Sequence, residues 1–358
     1  MSPSAEQSVR AISAPVVVKL GSTMVVGPGG RVRRTLLKTR AAEIARLAEQ
    51  GVPTVVVSSG AIALGLPRLD GTGTSPSVPE LQAASALGQV RLQSAWESAL
   101  AQANLLAAQV LLTSQDVAER ASYLNARNAL QALLSVGAVP VINENDATAT
   151  DEITFGDNDA LAAHVATLVS ARLLVLLTEV DGVYTRAPGS PGAELIQDGR
   201  EVHAAELGAK TSLGKGGMQS KLVAAEMAAS AGIPTVIARG DGSEVLGPIV
   251  DGDDRGTRFE PRQRTLSSYK LWLLHGKPIT GRLVVDDGAR RAVTADGRSL
   301  LAVGVARCEG SFEAGDGVEL VGPDGVGFGK GLAGASASEI EGRPRDLEAV
   351  HRDRLVLY

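Results

Sequence analysis

The chain has 358 residues, 44% of them hydrophobic and only 3% aromatic, and carries a net charge of −5. That is enough material for two domains whose cores rest on Ala, Val, Leu and Ile, and the acidic balance excludes a general nucleic-acid clamp. A single cysteine, Cys308, excludes an internal disulfide and a zinc site of several thiolates, and reads as a small buried hydrophobe.

Residues 1–14 read as a disordered lead-in without an apolar signal segment. No apolar run is long enough to cross a bilayer, so a soluble, cytoplasmic protein with no membrane partner is expected. Val16 to Leu20 (VVVKL) predicts a buried strand with Lys19 near its end, followed by Gly21, Ser22 and Thr23. Such a turn offers backbone N–H groups and the lysine a compact charge, which suits a phosphate. A strand-end lysine reaching solvent is the alternative. A helix is predicted over 36–50, stopped by Gly51, then a strand over 54–57 leading into Ser58, Ser59, Gly60 and Ala61. Strand, small polar turn and helix thus occur twice in succession. That repetition predicts βαβ units and a parallel sheet whose loops gather at one edge.

Asp70 to Pro79 has the composition of a loop. Helices are predicted over 80–104 and 118–135, with a short strand at 109–112 between them. Val139 to Ile142 then predicts a buried strand running into a loop dense with Asn, Asp and Glu, and a helix begins near Asp157. A loop at the C-terminal end of a parallel strand is where open α/β sheets bind ligands. Asn143 to Asp159 therefore reads as an acceptor pocket that grips a small zwitterion by its ammonium group. Asn and Asp are also ordinary turn residues, so a solvated surface loop stays open on composition alone. His164 falls within the following helix and reads as a packed or surface residue rather than an acid–base group.

Leu173 to Leu177 is the next predicted strand, closing in Thr178 and Glu179. Residues 185–217 read as an extended excursion, followed by a helix near Ser220 and a strand over 235–238. The string Lys215, Gly216, Gly217, Met218, Gln219, Ser220, Lys221 ends a loop and opens that helix. Glycines admit a polyphosphate close to the backbone, and a helix N-terminus favours anions. Neither GxxxxGK[ST] nor a strand-following GxGxxG occurs, so the usual P-loop and dinucleotide fingerprints are absent. Regular alternation ends between Asp251 and Pro278. Beyond it, short β-branched runs separated by glycines predict a small all-β barrel or sandwich.

The motifs VVVKLGS, VSSGAIALG, YLNARNAL, PVINENDA, FGDNDALAA, LLTEVDGVY and GKGGMQSK resemble, in order and spacing, the amino acid kinase family. The segments GRLVVDDGARRAV, GRSLLAVGV and GSFEAGDGVEL resemble a PUA domain. The resemblance spans 15–358 and implies a three-layer α/β sandwich with a mainly parallel sheet over 15–260. A linker over 261–279 and a PUA barrel over 280–358 complete it. The NEND and GDND strings resemble the branch that phosphorylates the γ-carboxylate of L-glutamate with ATP and Mg²⁺ at the opening of proline biosynthesis. That branch implies inhibition by proline, a dimer or tetramer, and glutamate 5-phosphate reductase as a partner.

Carried over by residue, the resemblance makes Lys19 and Lys221 the phosphoryl contacts and Asp159 the carboxylate that orients both. It makes Ser59, Asp146 and Asn158 the glutamate set, Asp146 taking the ammonium while Ser59 and Asn158 donate to carboxylates. Nucleotide contacts fall on Lys19, Thr178, Glu179 and 215–221, with Glu179 standing where Asp is commoner and Lys215 where Thr is. No protein ligand to a metal is expected, since Mg²⁺ would bridge nucleotide oxygens. A γ-carboxylate is already ionised at neutral pH, so no general base is required, and positioning with positive charge is. Other branches of the family, acting on acetylglutamate or aspartate, are the rival acceptors. Residues 280–358 hold ten Lys and Arg against thirteen Asp and Glu, which argues against RNA as partner.

Overall fold

The computed structural model describes residues 13–69, 76–148, 158–202, 217–261, 268–271, 273–274 and 277–358. They fall into two compact units, one within Met1–Thr113 and Leu124–Gln263, the other within Ser114–Tyr123 and Arg264–Tyr358. Residues 114–123, expected in the first unit, group with the second, where the Arg120 guanidinium lies 5.2 Å over the Tyr269 ring.

The first unit opens with β1 (Val16–Leu20), buried at every position because strands flank it and helices cover both faces. One helical turn, α1 (Ser22–Val25), and a small hairpin, β2 (Val26–Gly27) with β3 (Arg31–Val32), precede α2 (Arg34–Glu49). Next come β4 (Thr54–Ser58), α3 (Ala61–Gly65) and the long α4 (Val78–Gln102). Helix α4 starts two residues before the predicted Glu80. Ser77 caps it, with its backbone N–H donating to Glu80 Oε2 at 2.6 Å, and Pro79 fits the first turn, where no amide is needed.

The chain continues through β5 (Leu106–Leu112), α5 (Ser114–Ala118), α6 (Arg120–Ser135), β6 (Ala138–Glu144) and α7 (Asn158–Leu168). It then forms β7 (Leu173–Thr178), a β8 (Val183–Tyr184)–β9 (Leu195–Ile196) hairpin and α8 (Met218–Ser230). Strand β10 (Thr235–Arg239), α9 (Leu246–Asp251) and β11 (Thr257–Phe259) close the unit. The seven-stranded sheet runs β11-β10-β7-β1-β4-β6-β5 and is parallel except for β11. Strand β11 and the β2–β3 hairpin are not anticipated by the sequence, because two- and three-residue strands carry too little periodicity to read.

Register sets the site. Lys19 stands level with Val57 of β4 and Leu176 of β7, and Val57 is level with Ile142 of β6. The residues that follow (Ser58 and Ser59, Thr178, Asn143 and Glu144) therefore gather at the same edge as the end of β1. Chain order reverses there, β4 lying on one side of β1 and β7 on the other, which makes this edge a topological switch point.

The second unit contains a five-stranded sheet in the order β14-β12-β15-β16-β18, after α10 (Ser268–Leu271). Its elements are β12 (Ile279–Val285), α11 (Asp287–Thr294), β13 (Leu300–Leu301), β14 (Val305–Gly310), β15 (Gly317–Val321), β16 (Gly327–Leu332), α12 (Ala337–Glu341), β17 (Glu348–Val350) and β18 (Leu355–Leu357). Its own core includes Leu283, Val318, Leu320, Phe312 and Phe328. The small β-sheet domain expected here is present, and two short helices, α11 and α12, accompany its strands. Both start on capping side chains, Asp286 accepting from Ala289 N–H and Ser336 from Glu339 N–H.

Candidate active site

Helix α7 delivers the centre of the site. Its first two residues, Asn158 and Asp159, are 3% and 1% exposed, deeper than polar side chains go without partners. Asp159 Oδ1 lies 2.7 Å from Lys19 Nζ and its Oδ2 lies 3.1 Å from Lys221 Nζ. Ser220 Oγ donates to the same Oδ2 at 2.7 Å. One carboxylate thus holds two ammonium groups from chain segments about two hundred residues apart. Burial pushes the Asp159 carboxyl up, but Lys19, Lys221 and Ser220 together outweigh it and hold the group below the usual carboxylate range. The reason the segments meet is packing: α8 turns Ala224, Ala225, Ala228 and Ala229 inward, and α7 does the same with Ala162, Ala163 and Ala166. Small faces let the two helices approach, so Lys221 in the first turn of α8 arrives beside Asp159.

Beside this centre, Asn158 Nδ2 donates to Ser59 Oγ at 2.8 Å and to Asn143 Oδ1 at 2.9 Å. Asn143 Nδ2 donates in turn to Gln89 Oε1 at 2.8 Å. Both amide hydrogens of Asn158 are therefore engaged, which differs from the expectation that it donates to a ligand carboxylate. What remains is its Oδ1, buried and without a hydrogen-bond partner among the described residues. Asp146 matches it: Oδ2 accepts from Ser85 Oγ at 2.6 Å, and Oδ1 is buried and unpartnered among the described residues. Burial raises the Asp146 carboxyl above its usual range, and the Ser85 hydrogen bond offsets part of that rise. Asp146, Asn158, Asn143, Ser59, Gly60 and Ser22 line one cleft. Gly60 adopts φ +118°, a conformation that L side chains rarely take, and this turns the chain sharply between Ser59 and α3.

Thr178 ends β7, and Glu179 just past it has Oε1 3.9 Å from Arg33 Nη2. Gly217 caps α8, and Met218, Gln219, Ser220 and Lys221 form its first turn. Lys215 and Gly216, and the 149–157 part of the acceptor loop, lie outside the described residues. Among the described residues no group of three His, Cys, Asp or Glu is placed to hold a metal. Sequence reasoning omitted Ser85 and Gln89 from the site. Their signal was present as polar residues spaced i, i+4 on a helix face that otherwise carries Leu81, Leu92 and Trp96.

The cleft lies at the switch point of a parallel sheet, and next to it two lysines meet on a buried aspartate, an arrangement whose positive charge suits a phosphoryl group. The chain belongs to the amino acid kinase family, which residues 14–239 match, and residues 281–349 match the PUA domain. It is 44% identical over 360 residues to the glutamate 5-kinase of Ectopseudomonas mendocina, covering 95% of this chain and 97% of that protein. Against the glutamate 5-kinase of Pseudomonas syringae pv. tomato the identity is 43% with the same coverage. In fold alone it is similar to Giardia carbamate kinase, with a TM-score of 0.51 at 17% identity over 70% of this chain and 99% of that one. The AMP-PNP complex of the Giardia lamblia enzyme gives 0.52 at 16% identity with the same coverage.

Proposed function

We propose that this chain transfers the γ-phosphoryl group of ATP to the γ-carboxylate of L-glutamate, forming L-glutamate 5-phosphate and ADP. The observation that carries the reading is the adjacency of Asn158 and Asp159. One turn of helix joins Asn158, whose Oδ1 has no hydrogen-bond partner among the described residues and which lines a cleft with Asp146, to a carboxylate that grips two lysines. Acceptors without donors suit a ligand ammonium, while Ser59 Oγ, accepting from Asn158, keeps its O–H to donate to a ligand carboxylate. We therefore assign Asn158, with Asp146, to the ammonium rather than to a carboxylate. The strong identity to two glutamate 5-kinases supports the same acceptor.

In this scheme a γ-carboxylate oxygen attacks the γ-phosphorus and the bond from that phosphorus to the β,γ-bridging oxygen breaks, its electrons leaving on ADP. Lys19 and Lys221 neutralise charge on the moving group, and Asp159 fixes their spacing. Thr178, Glu179 and the first turn of α8 hold the nucleotide, together with Lys215 and Gly216. Mg²⁺ bound with the nucleotide would supply charge neutralisation on the polyphosphate; both Asp159 oxygens face lysines, so Asp159 is not placed to hold it. Product lability places a reductase next in sequence, in proline biosynthesis. Proline is assigned to the Asp146 ammonium site, and inhibition that added glutamate fails to relieve would remove that assignment. The test of the reaction is hydroxamate formation with hydroxylamine and ATP across an acceptor panel. L-Glutamate gives trapped acyl phosphate and N-acetyl-L-glutamate, which lacks a free ammonium, does not. Equal turnover of both would contradict the ammonium assignment.

A further inference from the structure

Three polar side chains on the buried side of α4 each hold a member of the cleft edge. Ser85 donates to Asp146, Gln89 accepts from Asn143, and Trp96 Nε1 donates to Ser58 Oγ at 2.9 Å. Ser85, Gln89 and Trp96 are 4%, 9% and 0% exposed. A helix face so deep is ordinarily apolar, so a serine on it that hydrogen-bonds a buried carboxylate calls for a reason beyond packing. Alanine there would favour the helix and leave the core dry.

We propose that Ser85 is a positioning residue for the acceptor subsite, and that it makes the subsite select ligands carrying a free ammonium. This rests on the assignment of Asp146 to the substrate ammonium. The hydroxyl occupies Oδ2 at 2.6 Å, which fixes the carboxylate plane and leaves Oδ1 as the oxygen of Asp146 without a hydrogen-bond partner among the described residues. The carboxylate is buried, and Ser85 is the only side chain among the described residues that hydrogen-bonds to it. Without Ser85 neither buried oxygen would have a hydrogen-bond partner among the described residues, and the neutral acid would displace the anion that an ammonium needs.

The experiment compares wild type, Ser85→Ala and Ser85→Thr, with Asp146→Ala as control, all checked for folding by thermal melt. The readouts are glutamate KM, ATP KM and the inhibition constant of glutarate, the same diacid without an amino group. Ser85→Ala is expected to raise glutamate KM about ten- to a hundredfold, the scale of a hydrogen bond to a charged group, while ATP KM and glutarate inhibition stay put. Ser85→Thr, which keeps the hydroxyl, is expected to stay near wild type. Unchanged glutamate KM in Ser85→Ala overturns the proposal. So does equal weakening of glutamate and glutarate, which would mean that Ser85 shapes the cleft rather than its ammonium end. If Asp146→Ala itself leaves glutamate KM unmoved, the underlying ammonium assignment fails instead, and the two failures are told apart.

Discussion

Asp159 pairs with two ammonium groups that are themselves nearly buried, Lys19 at 4% and Lys221 at 6% exposure. Replacing it by Asn keeps the shape but leaves two like charges facing each other out of water. Asp159→Asn is expected to cost about 3–5 kcal/mol of stability in urea denaturation, because removing one partner strands the others. Its folded pKa lies below the usual value, so its contribution is present above the unfolded pKa, near about 3.9, and is lost as pH falls through the lower folded value. Asp146 has the opposite sign. Its raised pKa makes ionisation a cost to the ligand-free protein, absent at low pH and complete once pH exceeds the folded value. Glutamate binding should relieve that cost. Glutamate is thus expected to raise Tm more at neutral pH than in acid, and kcat/KM for glutamate should fall on an acid limb lying above the ordinary aspartate range. A Tm increment independent of pH would count against an ionised Asp146 in the complex. At the same scale, Asp146→Ala is expected to raise glutamate KM far more than ATP KM in steady-state kinetics.

Helices α3 and α4 depend on two glycines. A Cβ at Gly65 would fall 1.8 Å from Ala84 O, and one at Gly88 would fall 1.8 Å from Ala61 O. Neither contact can be relieved by a side-chain rotation, since the obstacle is backbone. Gly88→Ala is expected to push α4 away from α3, costing about 1–3 kcal/mol or more, and to carry Ser85 and Gln89 off the cleft. Glutamate KM should then rise together with the loss in urea midpoint; a stable Gly88→Ala protein with unchanged KM would show that α4 does not hold the cleft. Much of this layer was legible beforehand. Continuous apolar strands such as VVVKL and LLVLL announce a sheet buried on both faces, and glycines after helices mark their ends. Lys19, Ser59, Asp146 and Asn158 stand out in the sequence because each sits near the end of such a strand, just past one, or where the following loop meets α7. Ser85 and Gln89 left only their spacing on an otherwise apolar face as a mark, because a polar residue on a helix shows its burial only once the packing partner is known. The amide orientation of Asn158 likewise depends on Asn143, Ser59 and Gln89 together, a set that no single stretch of sequence contains.

At the level of the whole molecule, a kinase unit is joined in one chain to a PUA domain with its own core. The acidic balance of 280–358 predicts weak retention of structured RNA in a low-salt filter assay; tight, salt-sensitive retention would give the PUA domain an RNA partner. Within the kinase unit, parallel register brings the ends of β1, β4, β6 and β7 level, and α7 and α8 then seat their first turns over that edge. Lys19 and Lys221 meet on Asp159, and the proposed reaction requires them to act on the same phosphoryl group. The direct measurement is a rapid-quench single turnover with ATP and L-glutamate saturating, following acyl phosphate formation in Lys19→Ala and Lys221→Ala. Both variants are predicted to bind substrates yet form product orders of magnitude more slowly than wild type. Formation at the wild-type rate in either would contradict the convergence of the two lysines on one phosphoryl group.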